Sequence, residues 1–102
     1  MFRLQDRCSS LGDLVDVRAS LRRQELVLRS ALRNVQSELR SWQAYRTERS
    51  ELGEPVPHDL AVLWDELAVR ERELALDLLQ VGTALREANV EIQNRLSRRP
   101  AG

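Results

Sequence analysis

Lysine is absent from this chain, and cysteine, histidine and isoleucine occur once each. Each shortage closes off a class of fold or chemistry. Cys8 stands alone, so no intrachain disulfide can form and a reducing compartment is the expectation. His58 has no metal-ligating partners, whereas a zinc site needs about four. A Cys8–His58 nucleophile pair would require the chain to fold back along the whole first half. The 16 basic residues are all arginine, a bias that a GC-rich genome explains without selection against lysine modification.

Strand formers are as scarce: one isoleucine, one tyrosine and one phenylalanine in 102 residues, with aromatics at 4%. The N-terminal MFRLQDRCSS has no apolar signal core, and no run approaches the eighteen or so apolar residues of a membrane span. These features predict a cytoplasmic protein, or one exported without a cleaved signal, and no membrane span. Formal net charge is zero, which leaves no electrostatic footprint for nucleic acid. Phosphate loops, HExxH and GxSxG are missing, as is any set of Ser, His and Asp. The expectation is no enzyme: no catalytic residue, no cofactor and no metal.

What remains is Leu, Arg, Glu and Ala, the composition of long helices and coiled coils. From Ser10 to Leu52, residues Leu14, Val17, Leu21, Leu28, Ala31, Val35, Trp42, Tyr45 and Leu52 recur at three- and four-residue steps. Leu11, Leu32 and Leu39 widen that stripe, while Gln24, Glu38 and Arg49 interrupt it. Such spacing lines one helix face, because 3.6 residues make a turn. Ser10 followed by Asp13 reads as the helix-start cap.

The sequence Gly53-Glu54-Pro55-Val56-Pro57 cannot continue a helix: glycine supplies a left-handed stop and each proline removes a donor. A second stripe follows over residues 58–97: Leu60, Leu63, Leu67, Leu74, Leu78, Val81, Leu85, Ala88, Ile92 and Leu96, with Trp64 beside it. The reading is therefore residues 1–9 as a flexible or short helical N-terminus, helix 10–52, turn 53–57, helix 58–97 and a basic tail 98–102. The short loop makes an antiparallel coiled-coil hairpin of two amphipathic helices the natural all-α fold.

Residues 1–53 carry ten Arg and seven acids, for +3, and residues 54–102 carry six Arg and nine acids, for −3, which suits two segments lying together. The acids Asp65, Glu66, Glu71 and Glu73 have Arg70 and Arg72 among them, as on a solvated helix face with ion pairs. Arg95, Arg98 and Arg99 read as a helix-end cap and solubilising tail.

Two helices bury only a narrow seam, and these stripes are wider than one partner covers. The expectation is completion by self-association or by a protein partner's helix. The residues assigned to that contact are Trp64, Leu67, Leu78, Leu85, Leu32, Leu39 and Trp42, with Trp64 as the leading candidate.

The stretch LRNVQSELRSWQAYRTERSEL, residues 32–52, resembles the first helix of a spectrin repeat, with Trp42 at the core tryptophan. DLAVLWDELAVRERELALDLL, residues 59–79, is similar to a later spectrin helix. Together they cover about half the chain, though a full repeat has three helices and only two fit here. The resemblance implies scaffolding rather than chemistry. In length and Leu/Arg/Glu richness the chain also resembles the small helical stalk proteins of type III secretion and flagellar export, which implies a chaperone or export role. All-helical chorismate mutases are the enzyme comparison. Their sites use cationic side chains, commonly including lysine, which leaves only arginines such as Arg22, Arg70 and Arg72 for that role.

Overall fold

The computed structural model describes residues 10–98, and among these described residues there are two α-helices, α1 (Leu11–Glu51) and α2 (His58–Ser97), joined as a helical hairpin. No strand occurs among the described residues. The expectations for residues 1–9, for Cys8 and for Arg99 lie outside that range.

Each helix end is set by local chemistry. Ser10 Oγ accepts the Asp13 amide at 3.1 Å and the Ser10 carbonyl accepts the Leu14 amide, so Ser10 is the N-cap of α1. At the other end Gly53 adopts φ 70°, the Glu54 amide donates to the Arg49 carbonyl at 2.9 Å, and the Gly53 amide donates to Ser50 at 3.1 Å. That pair of bonds is a Schellman motif with glycine at the left-handed position. Its two ends, Arg49 and Glu54, are also joined by an ion pair. Pro57 then supplies the carbonyl that accepts from Leu60 and Ala61, and opens α2 without a donor being wasted.

Because a Cβ at Gly53 would meet nothing within 4 Å, the cost of replacing it is purely conformational. Gly53→Ala is expected to destabilise the protein by about 1–2 kcal/mol, read as a lower urea midpoint with unchanged helical content at low denaturant.

The chain packs as two units, each built from both helices. The turn unit is Leu28–Asp77; the end unit pairs Met1–Val27 with Leu78–Gly102. In the end unit Leu14, Ala88 and Ile92 form a buried cluster against which Leu11 and Val17 pack, and Leu85 is also buried. Arg18 Nη1 donates to Asn89 Oδ1 at 3.4 Å across the two helices. In the turn unit the only fully buried side chain is Leu74, at 1% exposure.

The inward positions follow a stricter rhythm than 3.6. On α2 they are Leu60, Trp64, Leu67, Glu71, Leu74, Leu78, Val81, Leu85, Ala88, Ile92 and Arg95, alternating four and three residues without a break, and all are buried or half-buried. On α1 the same rhythm runs Leu11, Leu14, Arg18, Leu21, Glu25, Leu28, Leu32, Val35, Leu39 and Trp42. A 3.5-residue repeat is what holds one face against a partner helix. It leaves out six residues of the apolar stripes: Val17, Ala31 and Tyr45 of α1 stay half-buried beside the seam, while Leu63 and Leu96 of α2 are exposed at 45% and 43%, and Leu52, just past the end of α1, at 64%. Trp64 moves the other way, from beside the seam to within it.

Candidate interaction surfaces

The described aromatic residues, Trp42, Tyr45 and Trp64, all belong to the turn unit. Trp42 and Tyr45, both half-buried and three residues apart on α1, meet edge to face, with centroids 5.8 Å apart and planes at 89°. The Arg46 guanidinium of α1 lies 5.9 Å from the Trp64 ring of α2, a cation–π contact that links the helices. Arg49 Nε donates to the Tyr45 hydroxyl at 2.8 Å. That hydrogen bond, with the charge of Glu54, holds the Arg49 proton more firmly than in a free side chain. Between the helices these residues leave a cleft of about 320 Å³ with Trp42, Tyr45, Arg46, Leu60 and Trp64 on its walls. Aromatic rings with arginines beside them are the side-chain types that dominate protein interfaces.

The end unit has a different opening, a cleft of about 370 Å³ lined by Val17, Leu21, Gln24, Gln80, Val81 and Ala84. It is mostly apolar and open along one side, since Gln24 and Gln80 leave the seam uncovered there.

The seven residues assigned to a partner contact divide between the units. Trp64, Leu67, Leu32, Leu39 and Trp42 lie in the turn unit, where all five are half-buried. Leu78 and Leu85 lie in the end unit; Leu78 is half-buried and Leu85 is buried within the hairpin. Trp42 and Trp64 come together on one cleft.

The most exposed large apolar side chains are others: Leu26 and Val27 on α1, Leu52 just past its end, and Leu76, Leu79 and Val90 on α2. On α2 a second periodicity accounts for several of them. Val62, Val69, Leu76, Thr83 and Val90 recur every seven residues, all exposed, on the side of α2 turned from the seam. Ala61, Ala68, Ala75 and Gly82 immediately precede four of them and keep the neighbouring row small. The signal was present in the sequence as the sevenfold spacing of Ala61-Val62, Ala68-Val69 and Ala75-Leu76. A search for one apolar stripe per helix passes over it.

Among the described residues no group of His, Cys, Asp and Glu could hold a metal ion, and no helix is long and apolar enough to cross a membrane. His58 is exposed in the first turn of α2. Arg70 pairs with Glu73 at 3.6 Å and Arg95 with Glu91 at 3.1 Å, contacts that keep helix-surface charges neutralised.

Glu71 occupies an inward position of the turn unit between Leu67 and Leu74, half-buried. A carboxylate there gives up apolar packing on the seam. Glu71→Leu is expected to stabilise the isolated protein by about 1 kcal/mol, measured as a rise in urea midpoint at unchanged slope. A loss of stability would instead assign the carboxylate an essential polar contact.

Comparison with known proteins finds no matching family model, no matching curated protein and no matching solved structure.

Proposed function

We propose that this chain is a non-enzymatic interaction protein, a helical hairpin whose apolar positions are completed by a further helix from a protein partner or from a second copy. One observation carries the reading: among the described residues only Leu14, Leu74, Leu85, Ala88 and Ile92 are buried, while eleven large hydrophobic side chains are exposed. Seam leucines such as Leu21, Leu28, Leu32, Leu39, Leu67 and Leu78 are half-buried, so the two helices do not finish covering each other's apolar stripes. An additional helix would remove that surface from water, at about 25 cal/mol per Å² of apolar area. A third helix is also what the spectrin-repeat resemblance asks for.

The test is whether stability depends on assembly. Light scattering on the purified chain should show a species larger than the monomer, with a melting temperature that rises with protein concentration. A chain that requires a foreign partner would instead bind an apolar dye, melt broadly alone, and melt sharply once co-expressed with it. A monomer at high micromolar concentration with a sharp, concentration-independent melt and no dye binding overturns the proposal.

A further inference from the structure

We infer that the aromatic cleft of the turn unit is a binding site for a small, weakly hydrated organic cation of the quaternary ammonium class. It lies wholly within residues 28–77, so a single packing unit builds it. Both tryptophans and the one tyrosine of the chain stand on its walls, although aromatics are only 4% of the residues. All three are half-buried, so their burial is left unfinished on the side of the cleft. The face of an aromatic ring carries negative charge density and attracts cations. One face is already used in this way, since the Arg46 guanidinium lies 5.9 Å from the Trp64 centroid.

Asp65 supplies the countercharge. Its exposed carboxylate lines the same cleft, and among the described residues no basic group forms an ion pair with it. The only other side-chain oxygen on these walls is the Tyr45 hydroxyl, which already accepts from Arg49. A primary ammonium has three N–H donors and would leave some of them unsatisfied here. A quaternary ammonium has none, so three rings and one carboxylate favour the alkylated cation. A volume of about 320 Å³ is small for a ligand cleft and limits the occupant to a small solute.

Arg46 is the resident competitor. Together with Trp64 it also lines a second cleft of about 390 Å³, whose walls include Ser50 and the exposed Glu51. The guanidinium can therefore leave the ring toward the Glu51 carboxylate and yield the Trp64 face to a ligand.

Intrinsic fluorescence tests the site directly, because the chain has no tryptophan outside this cleft. Titrating the full chain with tetramethylammonium chloride should give a saturable change, with none from sodium chloride or ammonium chloride at equal ionic strength. Asp65→Asn should raise the midpoint concentration about threefold. Arg46→Gln should lower it about threefold by removing the competing cation, and Trp64→Leu should abolish the response. Asp65 and Arg46 are exposed, so helical content is unchanged in those two variants. The site is overturned by the absence of a saturable change, by ammonium acting as well as tetramethylammonium, or by a midpoint that D65N leaves unmoved. A response to phosphatidylcholine vesicles with none to tetramethylammonium would also overturn it, in favour of a lipid surface. The interaction role, which is read from light scattering, stands or falls separately.

Discussion

Leu74→Ala should cost about 2–5 kcal/mol, with Leu63→Ala, eleven positions earlier on the same helix, within about 0.5–1 kcal/mol of the unmutated protein. Both are leucines of α2 in the turn unit, and both lie on the stripe drawn by a 3.6-residue period. They differ in what surrounds them: Leu74 is 1% exposed and Leu63 is 45% exposed. Truncating Leu74 removes the only fully buried side chain of its unit and leaves a void in its place. A domain of this length holds about 5–15 kcal/mol of net stability, so the loss is a large share. Urea titration followed by tryptophan fluorescence checks it, because Trp42 and Trp64 both report on the turn unit. The expected result is a much lower midpoint for Leu74→Ala and almost none of that shift for Leu63→Ala. Equal shifts would mean that the seam runs at 3.6 residues rather than 3.5.

That contrast locates where the sequence was informative and where it fell short. Helix existence and the chain reversal were legible because their causes are local. Ser10 caps through its own hydroxyl, Gly53 has no Cβ to oppose a positive φ, and Pro57 has no amide to waste. The inward face was harder, since periods of 3.5 and 3.6 diverge by only about 20° per heptad. Over one or two turns they select the same residues. Over the length of α2 they separate, and the charged residues Glu71 and Arg95 turn out to hold inward positions that an apolar count assigns to no one. Reading the charged positions as part of the repeat would have placed Trp64 correctly within it.

The outward side of α2 was missed for a related reason. Its residues Val62, Val69, Leu76 and Val90 are separated by arginines and acids, so hydropathy along the chain does not single them out. They become a row only once the heptad register is fixed, and that register depends on which residues the hairpin buries. The aromatic cleft was half legible: Trp42 and Trp64 were both singled out, but their shared cleft with Tyr45 follows from how α1 and α2 meet within the turn unit. Nothing local to either tryptophan specifies the other.

Ala88→Asp is the corresponding experiment in the end unit, and its signature is a pH dependence. Ala88 is fully buried in a cluster with Leu14 and Ile92. An aspartate there loses its water without gaining a partner in that cluster, so its folded-state pKa should rise above the unfolded value near 3.9. The folded hairpin then binds the proton more tightly than the unfolded chain does. Stability must fall as pH rises from about 4 through the raised pKa, and stay low above it. A shift of about three pKa units corresponds to about 4 kcal/mol, enough to open the end unit at neutral pH. Circular dichroism should show helix lost at pH 7 and partly recovered near pH 4, where the carboxyl is neutral and only its size and polarity count. Ala88→Asn supplies that size and polarity without the charge, and should be destabilised by a pH-independent amount. If Ala88→Asp shows the same flat profile, Arg18, which reaches the adjacent Asn89, has turned to neutralise the new carboxylate. The triple comparison of Ala88→Asp, Ala88→Asn and Ala88→Asp with Arg18→Gln then separates burial from pairing: only with burial does the first variant respond to pH by itself.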